Sequence, residues 1–182
     1  MSKMISKNKN KKNTGFSLIE TLISVFLITV GLLATVNLIS KSMAESMDSR
    51  NQLIAGELAQ EGIELVRNIR DNNWASGNTS FENFSKCAFG GSSICGIDKT
   101  GSFITTGTPY RLYLDSNNFY INSGTTATKF RRKLIIADDG VNKKITSVVT
   151  WNNTAPPDPA SATCNTANKC TFVQETLTTW GE

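Results

Sequence analysis

The stretch KNKNKKNTGFSLIETLISVFLITVGLLATVNLISKSM, residues 7–43, decides the reading of this chain. From Phe16 to Ser40 nearly every side chain suits lipid, and Glu20 is the single charged residue. The apolar run is long enough to span a bilayer as a helix, which takes about 20 residues. A short basic tract precedes it and ends in Gly15; Lys41 marks the return to water. Basic residues on the near side hold the N-terminus in the cytoplasm and send the rest of the chain across.

Charge outside this stretch is nearly balanced. Lys3, Lys7, Lys9, Lys11 and Lys12 precede Gly15 with no acidic residue among them. Setting these five aside leaves fourteen of the nineteen basic residues against fifteen acidic ones, close to −1. The formal +4 therefore belongs to the leader, and no nucleic-acid partner is implied. The FRRK run at 130–133 reads as a solvated strand face, because the strand period divides its charges. Histidine is absent, and no nucleophile motif or phosphate-binding loop stands out; Gly90-Gly91 lies in a loop. The chain reads as a non-enzyme with no cofactor and no metal.

Beyond the span, helical periodicity continues through Met43, Met47, Ile54, Leu58, Leu65 and Ile69, with the methionines read as packing residues. One helix is expected from about 16 to about 70, ended by the turn- and cap-favouring residues of RDNNW at 70–74. Its first half needs lipid or other subunits around it, and its second half needs its own domain. Residues 71–108 read as a long loop with one short strand at most. After Pro109 the period changes to two: YRLYLD, NNFYIN, TKFRRKLIIA, KITSVVTW and TFVQETLTTW are strand candidates, with ADDGVNKK a hairpin turn rather than a calcium loop. Trp74, Trp151 and Trp180 are expected in the core. The fold class is α+β: one long N-terminal helix packed on an antiparallel sheet of four to five strands.

Four cysteines lie in two local pairs, Cys87 with Cys95 and Cys164 with Cys170. Behind a membrane-targeting segment they suggest disulfides, and the two local loops are the favoured pairing of three. Free thiols and a four-sulfur metal site are the alternatives; the gaps are wider than zinc sites use.

A secretory signal peptide would explain the basic start, but no small-residue cleavage site follows the apolar run. A plain signal-anchor leaves Glu20 unexplained, although a carboxylate at mid-bilayer costs about 2.5–3.5 kcal/mol. GFSLIETLISVFLI closely resembles the class III signal of type IV prepilins and type II secretion pseudopilins. The resemblance implies a pilin-like fold, cleavage between Gly15 and Phe16 by a prepilin peptidase, methylation of the new Phe16 amine, and an assembly role for Glu20. It divides the chain into a leader at 1–15, a membrane and filament-core segment at 16–40, and a periplasmic or extracellular domain at 41–182. The implied partners are the peptidase, other pilins or pseudopilins, an inner-membrane assembly platform and membrane lipid. VGLLATVNLISKS and AGELAQEGIELVRNIRDNNW look like the type IV pilus modification proteins, a PilV-type class of minor pilins, and also like minor pseudopilins. The resemblance leaves three roles open: minor pilin, minor pseudopilin of type II secretion, or a tip pilin binding DNA or a surface.

Overall fold

A computed structural model describes residues 15, 17–87, 95–107, 110–157 and 163–179. Gly90-Gly91 and Trp180 fall outside them. The chain forms two compact units, one through Ser46 and one from Met47 onward. Helix α1 runs from Leu18 to Ala75, 58 residues. A short 3-10 helix spans Phe84–Cys87. Among the described residues seven strands follow: β1 (Gly96–Ile97), β2 (Phe103–Ile104), β3 (Arg111–Leu114), β4 (Tyr120–Ile121), β5 (Thr126–Asp139), β6 (Asn142–Thr150) and β7 (Cys170–Leu177).

The helix outlasts its expected end near Arg70. Asn72 remains helical, its side-chain amide donating to Asn68 one turn back at 2.8 Å. The stop comes at Gly77, whose φ is +77. Gly77 N–H bonds the Trp74 carbonyl at 3.0 Å and Asn78 N–H bonds the Asn73 carbonyl at 3.0 Å. This bond pair satisfies the last free carbonyls through a left-handed residue, which glycine adopts without a Cβ clash.

The strands form a five-stranded antiparallel sheet in the order β4-β3-β5-β6-β7, with β1 and β2 paired separately. The described residues of region 71–108 thus hold two short strands where one was expected. The β5–β6 hairpin turns through Gly140-Val141, Asp139 facing Asn142, as the ADDGVNKK signal predicts. Cys95 bridges to Leu134 on β5, tying the small sheet's entry to the large one.

Helix α1 buries Ala55, Leu58, Ala59, Gly62, Ile63, Val66 and Arg70 within the unit from Met47 onward. The stripe of large apolar residues in the sequence is rotated slightly from this face: Leu58 is central, while Leu65 and Ile69 pack at its margin. Small residues set the true contact line, because Ala55, Ala59 and Gly62 admit the sheet more closely than large side chains would. Opposite them stand Phe130, Leu134 and Ile136 on β5, Ile145 and Val149 on β6, and Leu177 on β7. Trp151 joins this core, as expected, but Trp74 is 53% exposed. Met43 and Met47 are likewise exposed rather than packed.

Arg132 departs furthest from the sequence expectation. It shares the inner face of β5 with Phe130 and Leu134 and is only 1% exposed, so FRRK is not a wholly solvated run. Its guanidinium donates to the Leu58 carbonyl at 3.1 Å and the Ile97 carbonyl at 3.2 Å, and lies 3.4 Å from a Glu61 carboxylate oxygen. Burial presses its pKa down, and Glu61 opposes that shift. The helix makes room at Gly62: a Cβ there would stand 2.4 Å from Ser147 Oγ and 3.1 Å from Arg132 Cδ.

Two ion pairs frame the seat. Arg67 donates to both carboxylate oxygens of Glu175 on β7 at 2.6 Å. Nearer the start of the unit, Asp48 Oδ1 accepts from Trp151 Nε1 and Lys169 Nζ, both at 2.8 Å. These bonds, Lys169 first, hold the Asp48 pKa below its ordinary value of 3.8 against the opposing effect of burial.

Three outcomes follow from this packing. Gly62→Ala gains helix propensity but overpacks the seat, and a net loss of about 1–3 kcal/mol is expected in chemical denaturation; adding Ser147→Ala should recover part of it. Arg132→Ala leaves two carbonyls without their donor and opens a cavity, and should cost about 2–5 kcal/mol, whereas Arg132→Met loses the same bonds but fills part of the space and should lose less. A lowered folded-state pKa means the Asp48 bonds stabilise fully above pH 3.8 and are lost as pH falls through the lowered value. Asp48→Asn should therefore flatten the acid side of the stability profile, read as denaturation midpoint against pH, and leave the neutral region's slope unchanged.

Candidate functional site

The first turn of α1 is built by its own sequence. Ser17 stands just before the helix, and its carbonyl accepts from Glu20 N–H at 3.0 Å and Thr21 N–H at 3.2 Å. Ser17 and Glu20 have the Ser-x-x-Glu spacing of a capping box, a sequence signal that the membrane reading of this stretch overshadows. An acidic residue in the first turn also suits the positive end of the helix macrodipole. Glu20 is exposed, and among the described residues no salt bridge includes it. Gly15 is exposed with nothing near the position of a Cβ. Phe16 and residues 1–14 lie outside the described residues, so the proximity of the Phe16 amine to Glu20 is a matter of sequence spacing.

Hydroxyls in the apolar half are satisfied internally. Thr21 donates to the Leu18 carbonyl, Ser24 to Glu20, Thr29 to Val25 and Phe26, Thr35 to Leu32 and Ser40 to Val36, all at 2.8–3.0 Å. Such back-bonding removes the desolvation penalty that free hydroxyls would carry into an apolar medium. Large apolar side chains from Leu18 to Ile39 are exposed on every side of the helix. The helix is long and apolar enough to cross a membrane. An exposed apolar surface of that extent marks a membrane or protein contact.

The cysteines pair as the favoured local loops, Cys87 with Cys95 and Cys164 with Cys170. The first pair is buried in the core beneath the C-terminal half of α1, beside Phe84 and Ile97. The second closes a loop on the opposite face of the sheet, against Ile135 and Val148. The two pairs lie in separate clusters, which leaves neither free thiols nor a shared four-sulfur site.

Polar loops hold their own side chains tightly. Asp98 accepts from Thr100 and Ser102; burial alone would raise its pKa, and these hydrogen bonds leave it lowered. Asp115 accepts backbone N–H groups from Phe119 and Asn117, the Phe119 bond chiefly lowering its pKa, with Lys99 adding a bridge at 3.2 Å. Asp138, in the hairpin weighed for calcium, is paired with Lys143. A shallow depression beside the second disulfide loop is lined by Thr150, Asn152, Thr154, Thr163, Asn168 and Lys169. Its single cation already serves Asp48, and its amides and hydroxyls bond nearby carbonyls. These groups fold loops; they do not converge on a reacting centre.

The pattern of a known family, described as the prokaryotic N-terminal methylation motif, matches residues 10–36. That span includes Gly15, Phe16, Glu20 and the apolar start of α1. No curated protein and no solved structure matches the chain. With the long helix and antiparallel sheet, the architecture is α+β and pilin-like. The motif supports a type IV pilin-like or pseudopilin-like protein, and a membrane-anchored one is consistent with the apolar helix.

Proposed function

We propose that this chain is a minor pilin-like structural subunit of a type IV pilus, of the pilus modification (PilV-type) class, with no chemistry of its own. The observation that carries the reading is the placement of Gly15-Phe16-x-x-x-Glu20 at the head of one unbroken helix, apolar on all sides where it begins and buried on one face where it meets its own sheet. A prepilin peptidase removes residues 1–15 and the new Phe16 amine is methylated. Residues 16–40 then serve first as membrane span and later as filament core, and 41–182 form the periplasmic or extracellular domain.

Glu20 supplies the register. A carboxylate one helical turn from a terminal amine can neutralise that amine in its own chain or in a neighbour. In a filament of staggered helices, an incoming Glu20 finds the amine of the subunit already at the growing end. Between subunits that contact forms only in the correct stagger, a positional role for which buried charge is best suited. Apolar burial and close packing between helices provide the remaining driving force. Partners are the peptidase, other pilins and an inner-membrane assembly platform.

Intact-mass and terminal-peptide spectrometry of the mature protein should begin at methylated Phe16 and show four cysteine hydrogens missing. A mature chain beginning at Met1, or lacking residues 16–40, would overturn the reading. Glu20→Gln should still be cut and inserted, yet enter fibres at least about tenfold less, equivalent to roughly 1.4 kcal/mol. Incorporation equal to wild type would remove Glu20 from the mechanism.

A further inference from the structure

We infer that the end of the domain where the chain enters it is a docking surface for anionic phospholipid headgroups of the bilayer that its own helix spans. The inference rests on the membrane reading of residues 16–40 and adds a binding surface to it.

Ion pairing sorts the cations of this domain. Arg67, Arg70, Lys99, Arg132, Lys143 and Lys169 each meet a carboxylate within it. Arg50, Arg111, Lys129, Arg131, Lys133 and Lys144 meet none among the described residues. Lys144 stands near the β5–β6 turn, opposite Ala137. The others gather toward Asp48, where the chain enters.

Direct contacts tie them to that end. Asp48 holds Trp151 and Lys169. Two residues beyond Trp151, Asn153 N–H donates to the Lys129 carbonyl at 3.2 Å. Asn153 Oδ1 accepts from Arg131 Nε at 3.2 Å and Nη2 at 2.7 Å. Lys129 also adds to the lowering of the Asp48 pKa, after the hydrogen bonds from Lys169 and Trp151. Arg111 faces Arg131 across the β3–β5 ladder, and Lys133 follows Arg131 on the same face of β5. Arg50 lies two residues beyond Asp48. Burial raises the Tyr120 pKa and Arg50 opposes that shift; Tyr120 in turn packs edge-on to Phe130 at 5.7 Å.

The arrangement costs the protein free energy on its own. Like charges directly opposite each other weaken a strand pair, and Arg111 and Arg131 are such a pair. Their neighbours orient charge without cancelling it: Asn153 is neutral, and the Tyr110 ring lies 5.4 Å from the Arg131 guanidinium. Arg111 Nε has no acceptor among the described residues. A phosphate beside both guanidinium groups relieves the repulsion and suits their planar forks.

The tether selects the source of that phosphate. Ser40 ends the apolar run, and Asp48 is eight residues further along α1, a rise of about 12 Å. Even fully extended, eight residues reach no more than about 29 Å. The headgroup layer is about 5–7 Å deep, and its field persists for about 8 Å at physiological salt. Anionic headgroups are therefore the phosphates that the chain's own connectivity holds beside Asp48. Each cation at such a surface strengthens binding about fivefold.

Residue-resolved lysine acylation tests this on the full-length protein, one copy per bilayer disc, read by peptide mass spectrometry. Discs of phosphatidylcholine alone are compared with discs that also contain phosphatidylglycerol. Lys129 and Lys133 should label at least about fivefold more slowly in the anionic discs, and high salt should restore their rates. Lys144 should label equally in both. Arg111→Gln with Arg131→Gln should remove most of the protection at Lys129. Equal Lys129 rates in the two discs overturn the inference, whatever the stability of that variant. Protection of Lys144 as strong as that of Lys129 overturns it too, as does protection retained in a double variant whose denaturation midpoint matches wild type. Stronger protection in phosphatidylcholine discs from inorganic phosphate, duplex DNA or a second copy in the same disc assigns the face elsewhere and overturns it likewise. A chain that fails to insert overturns the membrane reading and the inference with it; a chain that inserts but labels equally overturns the inference alone.

Discussion

A guanidinium enclosed between helix and sheet governs how this domain is put together. Arg132 reaches from β5 to a mid-helix carbonyl at Leu58 and to Ile97 at the start of the small sheet, so three elements meet on one side chain. Burying that charge is costly, and apolar side chains of similar volume often serve stability as well or better. What the arginine supplies is direction. Apolar surfaces slide against each other at little penalty, whereas hydrogen bonds from a rigid planar fork are made in one register only. Gly62 completes the fit, because a Cβ at that position would enter the space of Ser147.

The rest of the domain is arranged about that seat. Small residues on α1 bring the helix close, and the Cys87–Cys95 bond keeps the 3-10 helix and β1 against the same core. Arg67–Glu175 and Asp48–Trp151–Lys169 fasten the helix to β7 and to the end of β6. Surface pairs of this kind contribute modestly on their own. Placed toward either end of the helical segment that seats on the sheet, they oppose rotation about it.

The two halves of α1 meet different solvents because their sequences differ. The first presents apolar surface in all directions with its hydroxyls bonded internally, and the second is amphipathic and narrow where it touches the sheet. Under the proposed function, moving from membrane to filament exchanges one apolar environment for another, so the driving force comes from packing and from the few polar groups that must find partners. Glu20 is the charged group in that half, and the proposed assembly role rests on it.

Sequence alone determined the class of the fold and the organisation of the chain. Long apolar runs and the change of period from 3.6 to 2 are local signals, so the helix, the Gly140-Val141 hairpin, the succession of strands β3 to β7 and the two cysteine loops are all legible in the residues themselves. The Gly15-Phe16-x-x-x-Glu20 pattern is equally legible, since its meaning lies in spacing along one chain. The tertiary structure decided which residues share a surface. Arg132 looks solvated in the sequence because its charge outweighs its parity with Phe130 and Leu134; Trp74 looks buried because of its size, yet it is left 53% exposed in the last turn of the helix. The helix passes its asparagines because a glycine three residues beyond Trp74 is the better stop. Such choices depend on what stands opposite each residue across the core, and distance along the chain carries no record of that.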